Sequence, residues 1–250
     1  MKKILGTVAV LALAMPLGAQ AADLPVAPAY KAPAVAPLQV YNWTGFYVGA
    51  SLGGEWERID GSFVFPPFAD WRVENSRGMW DAHAGAQYQF GPFVLGIEGN
   101  FVGLFNNDGS TASCNPATSC PAGAFLRSRL VDDIWTIGGR AGWAFGAWMP
   151  YLSGGYANTR VDQAAFLAGG IPVEATRTRH DGAYIGGGFD WQVWTTPGGA
   201  LVAGIEYRHY EFQSVQAVPV LTNGLTNPAD TWTVKPRADT IEARASWLFN

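Results

Sequence analysis

The chain has 250 residues, with 16 Lys+Arg against 20 Asp+Glu, 31 glycines and 14% aromatics, and only 14% of its residues are charged. A net charge of −4 excludes the basic footprint on which nucleic-acid binding depends. Charge this sparse, against roughly a quarter of residues in an ordinary soluble domain, also argues against a surface bathed in water on all sides.

Met1-Lys2-Lys3 opens a short basic start, Ile4 to Leu17 is an apolar run broken by Pro16, and Ala19-Gln20-Ala21 is a small-x-small site. Residues 1–21 therefore read as a secretory signal peptide cleaved after Ala21. Residues 22–41 carry Pro25, Pro28, Pro33 and Pro37 among Ala and Val, the composition of an extended periplasmic tether. Beyond the signal no apolar run of about twenty residues remains, so no membrane helix is expected. An exported chain rich in glycine and aromatics and poor in charge fits an outer membrane crossed by strands, where lipid-facing and lumen-facing residues alternate. Residues 42–250 form the single expected domain.

Period-2 alternation recurs from Asn42 onward. In Trp43–Gly54, Phe46, Val48, Ala50 and Leu52 alternate with Gly45, Tyr47, Gly49 and Ser51. Arg77–Phe90 sets Trp80, Ala82, Ala84, Ala86, Tyr88 and Phe90 against Asp81, His83, Gly85, Gln87 and Gln89. Pro92–Gly103 directs Phe93, Leu95, Ile97 and Phe101 to lipid, and Glu98 and Asn100 inward. Asp133–Phe145 opposes Trp135, Ile137, Ala141 and Trp143 to Thr136, Gly138 and Arg140. Trp148–Thr159 is the weakest pattern, with Leu152 and Tyr156 against Tyr151, Ser153 and Gly155. Asp181–Trp194 has Ile185, Phe189 and Trp191 outward and Tyr184, Asp190 and Gln192 inward; Ala200–Phe212 has Leu201, Ile205 and Tyr207 outward and Glu206, Arg208 and Tyr210 inward. In Thr240–Phe249 the outward set is Ile241, Ala243, Ala245, Trp247 and Phe249, and Glu242 and Arg244 point in.

The gaps alternate between short ones, at Gly91-Pro92, Gly146-Ala147 and Thr196–Gly199, and long polar ones at 55–76, 106–125, 160–180 and 213–237. The expected fold is an all-β, eight-stranded antiparallel up-and-down transmembrane barrel with three short periplasmic turns and four long external loops. Trp43, Phe90, Phe93, Trp143, Phe145, Trp148, Trp194, Trp247 and Phe249 fall at the periplasmic ends, where amphipathic rings favour the interface. A soluble β-sandwich would also alternate, but it leaves the strict succession of short and long gaps without a cause.

"ADLP" after the cleavage site, "YNWTGFYVGASLGG" at the first strand, "GIEGNF" and "GIEYR" at the third and seventh, and the aromatic last strand resemble the porin-like outer-membrane β-barrel family of alphaproteobacteria. That family includes major immunogenic surface proteins and is similar in fold to the OmpA transmembrane domain. The resemblance implies a structural, envelope-integrity or surface role in a Gram-negative outer membrane, surrounded by lipid and lipopolysaccharide. It implies no catalytic residues, no cofactor and no enzymatic activity. The terminal Trp247 and Phe249 resemble the signal by which the outer-membrane assembly machinery recognises its clients, although Asn250 follows the aromatic.

The inward set contains Asp81, His83, Glu98, Arg140, Asp190, Glu206, Arg208, Glu242 and Arg244. Charges in so small a lumen must pair or meet water, because an unpaired buried charge costs several kcal/mol. They are expected to form an ion-pair network, with Glu242 and Arg244 partnered on the first and seventh strands, or to gate a narrow ion path. An eight-stranded barrel is only wide enough for side chains to fill, so a wide pore is not expected, and a small porin is the alternative. Cys114 and Cys120 in "CNPATSC" suggest a disulfide; a metal site competes, but no His or acid stands nearby at ligand spacing. His209, Glu211 and Ser214 are the most triad-like cluster, a weak pattern for a nucleophile. Trp56, Phe63, Phe65, Phe68, Trp71, Phe166 and Trp232 in the long gaps either pack on one another or serve recognition of a host surface or ligand.

Overall fold

Alternation with one apolar face builds strands, and strands whose apolar faces all point outward can bury their polar faces only by closing on themselves. The computed structural model describes residues 41–63, 70–105, 110–113 and 124–250. The expected signal peptide, the tether up to residue 40, and Cys114 and Cys120 lie outside the described residues.

Eight long strands make the ring: β1 (Gly45–Phe63), β2 (Trp71–Phe90), β3 (Phe93–Leu104), β5 (Phe125–Trp143), β6 (Trp148–Leu167), β7 (Ile171–Thr196), β8 (Gly199–Phe212) and β11 (Trp232–Phe249). Each pairs antiparallel with the next, and β1 pairs β11 from Phe46↔Phe249 to Phe63↔Trp232, which closes the sheet. Three small strands sit at the external end: β4 (Ser110–Ser113) on β5, β9 (Val215–Ala217) on β11, and β10 (Val220–Leu221) on β7. A short 3₁₀ turn, Pro228–Asp230, precedes β11. Gly91 and Gly146, at φ 62° and 64°, supply the left-handed residue that the two tightest hairpins require.

Side-chain exposure follows the expected faces. Phe46, Leu52, Ile97, Ile137, Leu152, Ile185 and Ile205 are 57–72% exposed on the outside, forming an apolar belt. Aromatics edge the belt at both ends. Phe93 stands 4.4 Å from Trp143 and Trp148 stacks on Trp191 at the periplasmic rim, while Phe101 packs between Trp80 and Trp135 at the external rim.

Two expectations need correction. The strands run much further than the apolar alternation: β7 has 26 residues and β2 and β6 have 20 each, against about 9–11 for a tilted crossing strand. Most of 55–76 and 160–180 is therefore strand. Above the belt the outward positions meet water and become Arg58, Asp60, Glu74, Arg160, Asp162 and Arg177, so the apolar signal ends while the ladder continues. Trp43 is also not part of the interfacial girdle. It is 1% exposed, turned under the lumen, with its indole N–H donated to the Gly146 carbonyl at 3.0 Å and its backbone N–H to Gln89 Oε1 at 2.9 Å.

Candidate functional site

The inward positions form tiers along the barrel. At the periplasmic end Trp43, Tyr47, Val94, Met149, Tyr151, Val202 and Leu248 pack into one buried apolar cluster. At the external end a larger one joins Ile59, Met79, Val102, Leu130, Ile134, Val161, Tyr210, Phe212, Trp232 and Val234. Trp232, assigned to a long gap by sequence, is fully buried here and is not a recognition aromatic. Between the clusters lies a polar tier in which every one of the nine expected interior residues is buried.

Glu98 on β3 is the hub of that tier. Its carboxylate accepts from Tyr47 Oη at 2.8 Å, from Arg208 Nη2 at 2.8 Å and from Arg244 Nη2 at 2.6 Å, with Arg140 Nη1 at 3.4 Å. Arg140 also donates to Asp190 at 2.5 Å and lies 3.9 Å from the Tyr151 ring centroid. Glu206 accepts from Arg208, Tyr151, Ser153 and Arg244. Glu242 receives the Ser51 hydroxyl at 3.0 Å and faces Arg208 at 3.7 Å. Arg244 thus reaches β3 across the lumen as well as Glu206 on the neighbouring β8.

Inward glycines make this crowding possible. A Cβ on Gly188 would stand 2.5 Å from the Tyr151 hydroxyl, and one on Gly49 would overlap His83 and Ser246. Such contacts lie below any real Cβ separation, so each large inward side chain rests over a neighbour without one.

Beside the hub, Asp81 Oδ1, His83 Nδ1 and Nε2, and Ser246 Oγ line up at 2.7 Å and 2.7 Å, and Ser51 Oγ stands 3.0 Å from Asp81 as well, its one hydroxyl hydrogen shared between Asp81 and Glu242. This is the hydrogen-bond order of a hydrolytic triad. Here all three residues are 9% exposed or less, and a nucleophile needs a reachable reacting centre, so the arrangement serves as a polar tie among β1, β2 and β11. The cluster expected from sequence does not assemble: His209 faces Asp239 at 2.8 Å, while Glu211 pairs with Lys235 at 2.8 Å, and no described bond joins Ser214 to either. Among the described residues no group of three or more His, Cys, Asp or Glu could hold a metal ion.

Sequence reasoning omitted a second polar station nearer the outside. Arg77 Nη2 donates to Glu57 Oε2 at 2.6 Å, and the same oxygen accepts the Leu130 backbone N–H at 3.2 Å, tying β1 to β5 through the interior; Glu55 stands 3.5 Å from Arg77 Nε. These residues share the inward parity of Ser51, and continuing that parity past Gly54 would have found Glu55 and Glu57. Higher still, His180 is fully buried, bonded to Thr178 and near the Gln213 carbonyl; burial pushes its imidazole below the usual range.

The sequence model of the outer membrane protein β-barrel domain matches residues 7–249. Among solved structures, Neisserial surface protein A aligns at 17% identity over 82% of this chain and 98% of its own, with a TM-score of 0.35. The outer membrane protease OmpT of Escherichia coli aligns at 8% identity over 85% and 99%, with a TM-score of 0.47. OprG of Pseudomonas aeruginosa aligns at 11% over 83% and 97%, with a TM-score of 0.41. No curated protein sequence matches the chain.

Proposed function

This chain belongs to the outer membrane protein β-barrel domain family, and from that premise we propose that it is a structural surface barrel of the cell envelope whose lumen is filled and does not conduct. It resides in the Gram-negative outer membrane. One observation carries the reading: the ion-paired tier around Glu98 is stacked between two buried apolar clusters, so a solute would have to displace Trp43 and Leu248 below and Tyr210, Phe212 and Trp232 above. The porin alternative requires all three tiers to open together. Recording single-molecule currents across a planar bilayer tests the choice, with no stable steps expected.

A second reading has its own support. Past the belt, Leu167 and Ile171 at the β6–β7 hairpin and Val218, Val220 and Leu225 in the β8–β11 connection are exposed, apolar residues on the external side that suit contact with a host surface or ligand. Replacing these five by Ser should leave the barrel resistant to unfolding in cold detergent while abolishing attachment to host cells; attachment at the wild-type level would remove them from the account. The Trp43-Thr44-Gly45 block and its neighbours support placing the chain with the alphaproteobacterial porin-like surface proteins. Lipopolysaccharide as its surrounding lipid, residues 1–21 as its export signal and Cys114–Cys120 as a disulfide belong to the same reading. So does recognition of Trp247 and Phe249 by the assembly machinery.

A further inference from the structure

Residues paired across antiparallel ladders stand side by side on one face of the sheet. Above the belt the pairings line up Arg127 on β5, Ala164 on β6, Ala175 on β7 and Val220 on β10 in a single row. The row faces outward, because Leu126, Ser128, Gln163 and Glu174 beside it are the buried members of their strands. Its two alanines make a low floor, and longer neighbours turn that floor into a trough of about 860 Å³. Phe166 forms one wall and is itself stacked on Phe125, with ring centroids 4.9 Å apart. Arg177 and Asp162 form the opposite wall and join through two bonds, at 2.5 and 2.7 Å, so that this side carries no net charge. Val218 and Val220, each 42% exposed, close the β10 end. At the other end stands Arg127, which is exposed, lies 5.3 Å from the Phe166 ring centroid, and has no hydrogen bond or ion pair among the described residues. A guanidinium over a ring engages its face and leaves its in-plane N–H donors for a carboxylate.

We propose that this trough docks an acidic peptide segment of a partner, held extended, with a carboxylate on Arg127 and an aliphatic side chain against Val218 and Val220. The proposal rests on the reading of these external residues as a contact surface and gives that contact its chemistry. Charge fixes the acid end, since Arg127 supplies the trough's net positive charge once Arg177 and Asp162 cancel. Length fixes the spacing: three strand intervals of about 4.8 Å separate Arg127 from Val220, roughly 14 Å, which about four residues of extended chain cover. Height selects a peptide over a lipid. Tyr156 is the last large apolar residue on the outward face of β6 before Asn158, Arg160 and Asp162. Eight further residues of a strand tilted about 45° put Ala164 roughly 19 Å above it, beyond a headgroup layer about 5–7 Å deep. The polar wall of Arg177 and Asp162 also suits a backbone, whose amides keep water on that side, better than an alkyl chain.

The test measures fluorescence anisotropy of labelled, end-blocked peptides on the folded barrel in phosphatidylcholine nanodiscs. One peptide carries Glu and Leu at the spacing above in a Ser/Thr background; two others replace the Glu by Gln or the Leu by Ser. The Glu peptide should bind about four-fold more tightly than the Gln peptide at low salt, a ratio that a single exposed ion pair supports. Arg127→Gln should bring those two peptides to one affinity, while Arg58→Gln leaves their ratio as in the wild type. Val218→Ser combined with Val220→Ser should weaken the Glu–Leu peptide and leave the Ser-substituted peptide unchanged. Absence of binding, equal binding of Glu and Gln peptides, a Glu preference retained in Arg127→Gln, or displacement of the peptide by equimolar decanoate would each overturn the proposal. Host-cell attachment separates this outcome from the reading beneath it. Attachment lost in the five-Ser variant with no Glu preference keeps the contact surface and removes the acidic peptide, whereas undiminished attachment removes both. Heat-modifiable gel mobility of every variant establishes that a loss is not a failure to fold.

Discussion

Glu98 accepts from Tyr47, Arg208 and Arg244 at 2.6–2.8 Å in a tier with almost no exposure, so its removal leaves guanidiniums buried without their shared anion. Breaking a buried pair from one side costs about 3–5 kcal/mol, whereas an exposed pair such as Arg58–Glu74 is worth about 1 kcal/mol or less. Glu98→Ala should therefore lower the urea midpoint far more than Glu74→Ala, and equal shifts would show that the tier is not what holds the interior. A second residue titrates outside the bilayer. Burial, then the charge of Asp230, pushes Glu174 up to about 7, while Asn227 donates to both carboxylates and β10 pairs beside them. Because the folded value lies above the ordinary 4.5, the clasp carries no penalty at low pH and loses stability as pH rises toward 7. Hydrogen exchange at the Leu221 and Thr222 amides, corrected for intrinsic rate, should show protection falling between pH 5 and 8 in the wild type. Glu174→Gln should flatten that profile, and an unchanged slope would assign the effect elsewhere.

At the scale of the element, parity was the legible part. Tyr47, Asp81, Glu98, Arg140, Asp190, Arg208 and Arg244 fall on the lumen side because strand side chains alternate around each of them. Parity does not give height. Which inward residues meet depends on the stagger between strands, so the Asp81–His83–Ser246 alignment and the reach of Arg244 to Glu98 were invisible in the sequence. Nor does it survive a change of solvent: above the belt the outward residues turn polar, and β1, β2, β6 and β7 continue as ladders that an apolar pattern cannot report. Trp43 was misplaced for a related reason. It precedes β1, so its direction is set by the Gly146 and Gln89 bonds and not by alternation. The last strand carries a prediction of its own. Phe249 is 50% exposed opposite Phe46 at the closing seam, while Asn250 contributes one bond, to the Asn42 carbonyl at 3.0 Å. Phe249→Ala should slow membrane insertion much more than Asn250→Ala, measured by the appearance of the heat-modifiable form; matched rates would show the aromatic is not read during assembly.

At the scale of the whole molecule, the same eight strands meet three surroundings. Lipid meets the apolar belt, water meets the charged skirt above it, and the inward face carries the ion-paired tier between two buried apolar clusters. Closure between β1 and β11 leaves no free ladder in the bilayer, where each unsatisfied backbone group would cost several kcal/mol. The inward glycines let Arg140, Arg208, Arg244, Tyr47 and Tyr151 fit a bore that is only side-chain wide. A bore shut by three tiers in series is tested most directly by conductance of the folded protein in a planar bilayer at several salt concentrations. The expected result is a baseline without stable steps at every concentration. Large, long-lived steps that scale with salt would contradict it and establish an open pore.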